Sequence, residues 1–299
     1  MLASSIVLMR QGNIIFHWPM REERPAAGII QSTCFIYPST LWSRQNTMEN
    51  IPHIDALFCD LNVTASPLLI SAVGAGGKTS TLLWLARVFQ QAGRRVLLTT
   101  TTHMFLPRHL PVTFCRDPRA LPAEVWQSPL QACFSAWLPS VGKVKGFTPA
   151  QLDALLAAGN VDVVLVEADG AHGFAIKAPN EHEPCIPLSC CCVVAITGAD
   201  MLGKALGPAT VHRWPFFSRI TGSGEGERLN WPILHRLVQH PQGVFKGTPP
   251  GCRRIWLLNQ LSQNENLQEG ELLTGGAVDV IWAGSVQERQ AITRRRERK

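Results

Sequence analysis

The sequence is poor in charged residues, in tyrosine and in long apolar runs. Charged residues make up 17% of the 299 residues and hydrophobic residues 45%, a balance typical of a folded globular chain and not of a disordered one. Tyr37 is the only tyrosine, and no segment alternates aromatic with basic residues, so a base-stacking surface is not predicted. No apolar run approaches the roughly 18 residues of a membrane span. We therefore expect neither nucleic-acid nor membrane partners.

Cysteine is present, but the nine cysteines contain no C-x-x-C pair. Three of them, Cys190, Cys191 and Cys192, are adjacent and precede an apolar stretch. Thiols packed as small apolar side chains suit a reducing compartment, and the pattern does not indicate a disulfide framework. We expect a cytoplasmic protein.

Positive charge is concentrated at the C-terminus. The formal net charge is +6, and Arg294, Arg295, Arg296, Arg298 and Lys299 supply most of it, so the rest of the chain is close to neutral. Basic segments of this length are typically solvated and disordered, and we assign 291–299 as a basic tail. Residues 1–47 lack a clear period and precede a further methionine, Met48. We expect them to be an N-terminal extension, either a poorly ordered arm or a stretch ahead of the true start.

Residues 48–290 alternate between strand and helix patterns. The run "PLLISAV" is followed by a glycine turn, by helix-spaced apolar residues over Thr79 to Gln91, and by a second strand, "RRVLLTTTTH". The continuous apolar run "VDVVLVE" is typical of a strand in the middle of a parallel sheet. Three more strands are predicted in "CCVVAITGAD", "RRIWLLNQL" and "AVDVIWAGSV", with helices near 213–220 and 232–239. The predicted fold class is α/β, P-loop NTPase-like, with a mostly parallel sheet flanked by helices.

A mostly helical segment is predicted over Leu121 to Gly159. Its last helix has a clear start, with Thr148 at the N-cap, Pro149 in the first turn and Gln151 three residues after the threonine. This arrangement satisfies the free backbone donors of a helix start reciprocally.

The glycine turn lies in "SAVGAGGKTSTLLWLA", which begins at Ser71. The usual phosphate-loop spacing would require glycine at Ala72, but the shorter pattern Gly-x-x-Gly-Lys-Thr fits and is similar to that of the Mur ligases. Glycines before a helix let the backbone wrap an anion at the positive helix end. Lys78 would reach the β- and γ-phosphates, and the Thr79 hydroxyl would bind Mg²⁺. The predicted nucleotide-binding residues are Gly74, Ala75, Gly76, Gly77, Lys78, Thr79 and Ser80.

Two carboxylates follow the central strand, Glu167 and Asp169. The carboxyl ends of parallel strands form the edge where ligands bind, and Mg²⁺ prefers oxygen ligands. We expect Thr79, Glu167 and Asp169 to serve the metal, with Lys78 and the two carboxylates as the catalytic groups. Alternation along the strand would send both carboxylates to the same side.

The polar segment "KAPNEHEPCIP" and the later "VHR" supply candidate substrate residues, namely Lys177, His182, Glu183, His212 and Arg213. An arginine at a helix start could clamp a phosphate or a carboxylate. Zinc binding by Glu181, His182, Glu183 and Cys185 is an alternative, but the spacing matches no standard zinc pattern. In "LLNQLSQ" the aspartate that would recognise guanine is absent, so ATP with Mg²⁺ is expected rather than GTP.

Six segments in order resemble the YqeC-type proteins, described as accessory factors for selenium-dependent molybdenum hydroxylases. The resemblance covers Met48 to the C-terminus and rests on Gly74 to Ser80, "TTTTH", "VEADGA", "KAPNEHEPCIP", "VHR" and "HPQGVFKGTP". It implies a P-loop-like protein that acts in selenium cofactor biosynthesis or insertion, with a molybdenum hydroxylase or the selenium-cofactor machinery as partner.

Several functions remain open from the sequence. The first is a nucleoside triphosphatase or ATP-dependent transferase that activates or delivers a selenium-containing ligand. The alternatives are a Mur-ligase-like ATP-dependent ligase, a nucleotide-gated chaperone without turnover, and an α/β module that only holds an anionic cofactor.

Overall fold

The computed structural model describes residues 54–63, 67–107, 110–261, 276–286 and 290–297, and the predicted extension over 1–47 lies outside them. Its α-helices are α1 (Ile54–Asp60), α2 (Lys78–Gln91), α3 (Pro149–Ala157), α4 (Trp214–Thr221) and α5 (Trp231–Gln239). Among the described residues, none of the helices has the length and apolar character needed to cross a membrane.

The strands are β1 (Leu68–Gly74), β2 (Val96–Thr100), β3 (His103–Phe105), β4 (Val112–Phe114), β5 (Leu130–Phe134), β6 (Ala136–Leu138), β7 (Lys143–Lys145), β8 (Val163–Glu167), β9 (Ile176–Lys177), β10 (Cys192–Gly198), β11 (Val211–His212), β12 (Arg253–Asn259), β13 (Val280–Ser285) and β14 (Gln290–Glu297). Nine of them form the central sheet in the order β14-β13-β12-β10-β1-β8-β2-β5-β4. Its strands pair in parallel except β14, which pairs antiparallel with β13 at one edge. The predicted α/β class with a mostly parallel sheet is confirmed.

The segment that we expected to be a solvated, disordered tail contributes to this sheet. Gln290–Glu297, which includes three of the clustered arginines, forms β14 along β13. A strand at a sheet edge that carries charged residues is a common way to discourage pairing with another chain.

The sheet is covered on both faces because successive residues of its strands point in opposite directions. Leu68 and Ile70 pack into one apolar cluster with residues of α1 and α2. Leu69 and Val73 pack into the other cluster with residues of α3, α4 and α5. All seven residues of β1 are buried, as expected for a central parallel strand.

The expectation of a mostly helical segment over Leu121 to Gly159 is wrong. Of the α-helices described, only α3 lies there, and its predicted cap is confirmed because Thr148 and Gln151 form the reciprocal hydrogen bonds. The preceding residues form β5, β6 and β7 together with short 3₁₀ turns. The buried run Leu130–Phe134 is too short for its periodicity to separate a strand from a helix, and pairing with β2 makes it a strand.

A small antiparallel sheet of order β3-β7-β6 stands beyond the end of β2. The carboxyl ends of β1, β8 and β2 meet at the same edge, because the three strands are parallel neighbours. This edge therefore brings together the glycine turn, Glu167 and the small sheet.

Candidate functional site

The glycine turn connects β1 to α2 through backbone conformations that favour glycine. The φ angles are +90° at Gly74, +86° at Gly76 and +117° at Gly77. A Cβ atom at Gly74 would collide with the Ile196 carbonyl oxygen of β10, and one at Gly76 would lie 2.5 Å from the Gly198 nitrogen. The turn therefore requires glycine both for its dihedral angles and for its close contact with the neighbouring strand.

Several backbone N–H groups of the glycine turn are already hydrogen-bonded within the protein. Ala75 N–H donates to the Ile196 oxygen at 2.9 Å, and Gly76 N–H donates to the Phe174 oxygen at 3.1 Å. Gly74 N–H donates to Asp169 Oδ2 at 2.9 Å. The first N–H groups of a helix lack partners within the helix, and in α2 these belong to Lys78, Thr79 and Ser80. An anion would therefore meet the helix start rather than the whole turn.

Lys78 is buried at the turn, with 4% of its side chain exposed. Its ammonium group donates to the Gly74 carbonyl oxygen at 2.7 Å and lies 3.2 Å from Asp169 Oδ1. The other oxygen of Asp169 lies 2.9 Å from Lys177 Nζ. The buried ammonium groups of Lys78 and Lys177 thus share the single carboxylate of Asp169.

Glu167 lies at the end of β8 and faces the start of α2. Thr79 Oγ1 donates to Glu167 Oε2 at 2.6 Å. Burial raises the pKa of the Glu167 carboxyl above its usual value of 4.5, against the opposing effect of the Lys78 charge, and the nearby Asp169 raises it further. As alternation predicted, the two carboxylates reach the same site, since Asp169 accepts from the Gly74 N–H and Glu167 accepts from Thr79 at the start of α2.

The oxygen atoms of Thr79 and Glu167 fit a Mg²⁺ ion, which prefers oxygen ligands and retains several waters. Both residues line a cleft, whereas Asp169 is buried behind it and engaged by two lysines. Glu167 is therefore the carboxylate better placed for a metal. Among the described residues, no group of three or more His, Cys, Asp or Glu side chains is arranged to hold a metal ion, including the zinc alternative near His182.

A buried network continues behind Asp169. Lys177, whose side chain is 1% exposed, donates to Glu183 Oε2 at 2.8 Å and to the Gly170 carbonyl oxygen at 2.7 Å. Arg213 Nη1 lies 2.6 Å from the same Glu183 oxygen. The charges of Lys177 and Arg213 lower the pKa of Glu183 despite its partial burial. Lys177 thus holds Asp169 and Glu183 in place from behind the cleft. Glu183 lines the cleft, whereas Lys177 does not.

The two remaining candidate substrate residues occupy different places. His212 stacks on His172 and Phe174, with ring centroids 4.9 and 5.6 Å apart. Partial burial and the charges of Lys177 and Arg213 lower the pKa of His212 to about 4, so its ring is neutral at neutral pH. His182 is exposed and is not among the residues that line the cleft.

Asn259 belongs to the site, although the sequence analysis assigned it no role. Its Nδ2 donates to the Gly76 carbonyl oxygen at 2.7 Å, and its Oδ1 accepts from the Val286 N–H at 3.1 Å. The side chain thereby ties the glycine turn to the end of β12 and the segment after β13. An asparagine at the carboxyl end of a buried strand was the available signal.

The cleft has a volume of about 680 Å³, and two groups of its lining residues matter here. We call residues Gly76 to Ser80 with Glu167 the loop wall. The second group, the sheet wall, consists of Phe105, Leu138, Val141 and Lys143. Sequence analysis missed the sheet wall because its three strands are only three residues long.

Comparison with known proteins identifies the family of this chain. The model of the YqeC protein family matches residues 70–215, which include the glycine turn, Glu167, Asp169 and Arg213. An Escherichia coli (strain K12) protein described as Uncharacterized protein YqeC is 51% identical over 253 residues, which cover 83% of this chain and 99% of that protein. Identity at that level across nearly the whole of a relative is far above what chance or a shared fold alone produces. The chain therefore belongs to the YqeC family.

Proposed function

We propose that this protein binds ATP with Mg²⁺ at the loop wall and uses hydrolysis or phosphoryl transfer in the biosynthesis or insertion of a selenium cofactor for molybdenum hydroxylases. The observation that carries the nucleotide part is the contact between Thr79 and Glu167 across the start of α2, at 2.6 Å. A hydroxyl at a helix start, a buried carboxylate opposite it and an adjacent lysine form the set that phosphate and Mg²⁺ require.

The charges around Lys78 support binding of a highly charged anion. Asp169 alone would neutralise Lys78, but Lys177 shares that carboxylate, and Arg213 shares Glu183 with Lys177. With Glu167, the three cations are matched by three carboxylates, so the position of the Lys78 charge at the start of α2, rather than a net positive charge, supports anion binding. Lys78, already held by the Gly74 carbonyl oxygen, would reach the β- and γ-phosphates with little loss of side-chain freedom.

Thr79 and Glu167 would hold the metal and its water shell. Mg²⁺, when bound, neutralises charge that develops on the phosphate oxygens. The residues of the chain would contribute position and charge. The α2 amides would orient the phosphates, Lys78 would contact a phosphate oxygen, and Glu167 would accept hydrogen bonds from the water shell of the metal. ATP rather than GTP is proposed because Asn259 supports the turn and Ser262 stands where the aspartate that recognises guanine would follow it in the sequence.

The direct test is calorimetric titration of the full chain with Mg·ATP and with Mg·GTP. We expect micromolar binding of ATP, and a loss of about a hundredfold or more in Lys78→Ala, because a buried charge-assisted contact to phosphate disappears. Lys204→Ala is the matched control, since Lys204 pairs with Asp200 at an exposed site. Equal binding by all three proteins would refute the assignment of the loop wall.

The pathway needs a separate test in cells that make a selenium-dependent molybdenum hydroxylase. Replacing the gene with Lys78→Ala should abolish hydroxylase activity, while Lys204→Ala should preserve it. Normal hydroxylase activity with Lys78→Ala would contradict the selenium role. Nucleotide-dependent binding of the hydroxylase without ATP turnover would instead favour the chaperone alternative.

A further inference from the structure

The sheet wall has large apolar side chains that are exposed to solvent. In β3, Met104 is buried in the core, whereas its neighbour Phe105 is 69% exposed. Val141, in the connection between β6 and β7, is 56% exposed. Both line the same cleft as the loop wall. An exposed apolar patch within a cleft that also holds polar groups is typical of a ligand site.

The strand register makes this patch a flat platform. Phe105 is paired with Lys143 across β3 and β7, and Lys143 is paired with Leu138 across β7 and β6. Residues opposite each other in antiparallel strands lie on the same face, so the three form one row. The Lys143 ammonium lies over the Phe105 ring, 5.2 Å from its centre. The platform thus combines a positive charge over one face of the ring with an aromatic surface that is still exposed, since Phe105 is 69% exposed.

The position of the platform indicates which ligand it meets. Along the carboxyl edge the order is the glycine turn after β1, then Glu167 after β8, then the small sheet after β2. Thr79 and Glu167 would hold the metal, which would neutralise charge on the terminal phosphates. On the proposed function, a group on the far side of Glu167 from the turn would lie beyond the terminal phosphate. That is the place of an acceptor rather than of the nucleobase.

We infer that Phe105, Leu138, Val141 and Lys143 bind a second small molecule, a planar aromatic anion, beside the terminal phosphate of the nucleotide. The ring of this ligand stacks on Phe105 between Leu138 and Val141, and its negative group contacts Lys143. The ligand's place as acceptor rests on the proposed function, whereas the ring site itself rests on the geometry of the sheet wall.

The test uses anilinonaphthalene sulfonate, a fluorescent planar aromatic anion, with the full chain. We expect saturable binding that weakens by about tenfold or more in Phe105→Ala and in Lys143→Gln. Phe105→Leu keeps an apolar side chain without the ring and should also weaken binding. Leu188→Ala is the control for general apolar exposure, since Leu188 is 81% exposed outside the cleft. Saturating Mg·ATP should leave dye binding intact.

Two results would overturn the inference, and they differ from failure of the nucleotide assignment. Dye binding that is unchanged in the Phe105 and Lys143 variants would refute the ring site even if ATP binds. Displacement of the dye by ATP, with Phe105→Ala weakening ATP but not inorganic tripolyphosphate, would assign the platform to the nucleobase and refute a second ligand. Dye binding that depends on Phe105 in a protein that binds no nucleotide would support the ring site and refute only the proposed function.

Discussion

The two walls of the cleft differ in how their side chains are partnered. On the loop wall, Lys78 is held by Gly74 and Asp169, and Glu167 is held by Thr79. On the sheet wall, Phe105 and Val141 are largely exposed. Groups that must not reorganise during reaction are fixed in advance, because ordering them at the moment of binding would cost affinity. The comparison indicates that the loop wall is preorganised, while the sheet wall keeps apolar surface exposed, as the proposed ring site requires.

The largest expected effect comes from removing the carboxylate behind the loop wall. Asp169→Ala leaves the buried ammonium groups of Lys78 and Lys177 facing each other without their shared counter-charge. We expect a loss of about 3–5 kcal/mol in the free energy of unfolding, measured by urea denaturation. Asp200→Ala removes the partner of Lys204 at an exposed site and should cost less than about 1 kcal/mol. Equal losses in the two variants would mean that the loop wall is not held by this network.

A smaller effect is expected from crowding the glycine turn. Gly74→Ala forces alanine to a φ of +90° and drives its Cβ into the Ile196 carbonyl oxygen. We expect a loss of roughly 2–3 kcal/mol, from backbone strain plus displacement of β10. Gly93→Ala is a matched control because its φ is +76° but its Cβ would meet no atom within 4 Å. That variant should lose only about 1 kcal/mol. Identical losses would show that close contact with β10 does not constrain the turn.

Glu167→Gln should improve stability while weakening function. Burial raises the pKa of Glu167 above its unfolded value, so between the two pKa values the folded protein keeps a proton that the unfolded chain releases. The contribution of Glu167 to the free energy of unfolding is therefore present at low pH and is lost as the pH rises through the folded-state pKa. Glutamine does not ionise, so the variant keeps its stability over that pH range.

The measurements are thermal unfolding across pH and Mg·ATP titration at neutral pH. At neutral pH, Glu167→Gln should unfold at a higher temperature than the wild type, and its Mg²⁺-dependent affinity for ATP should fall by about tenfold. Thr79 can still donate to the amide oxygen, so the turn should persist. Lower stability together with unchanged affinity would contradict the proposed role of the buried Glu167 carboxylate at the metal.

The smallest effect on stability is expected on the sheet wall. Phe105→Ala should change the free energy of unfolding by no more than about 0.5 kcal/mol, because the ring is 69% exposed. Met104→Ala, one residue away, should cost about 2–5 kcal/mol because Met104 is buried. Chemical denaturation of both variants provides the measurement. A large decrease in the free energy of unfolding of Phe105→Ala would show that the ring stabilises the fold, which would contradict a role in ligand binding alone.

The parts of this molecule that could be predicted from sequence are those with strong local signals. The apolar runs of β1, β8 and β10 are rich in β-branched residues and indicate buried parallel strands, and glycines with a following lysine identify the turn. The cap at Thr148 was predictable for the same reason, since its hydrogen bonds join residues three positions apart.

The remaining features depend on contacts between distant residues. Asp169 was predicted at the site, but its ion pair with Lys177 depends on how the loop after β8 folds back, and the sequence pattern does not predict it. Asn259 reaches Gly76 across 183 positions of sequence. The strands of the small sheet are so short that neither composition nor period distinguishes them from a loop.

The position of β8 between β1 and β2 has a consequence for the order in which the chain can fold. β1 and β2 are synthesised first, yet neither pairs with the other, and the strand that joins them is contributed only after residue 162. Pairing across so long an intervening segment is slow, because loop closure must precede any gain from contact. During synthesis both strands therefore present open edges, which favour chaperone binding or misassociation. The lysine and the carboxylates of the site meet only when β8 is inserted, so a truncated or prematurely released chain cannot assemble the loop wall.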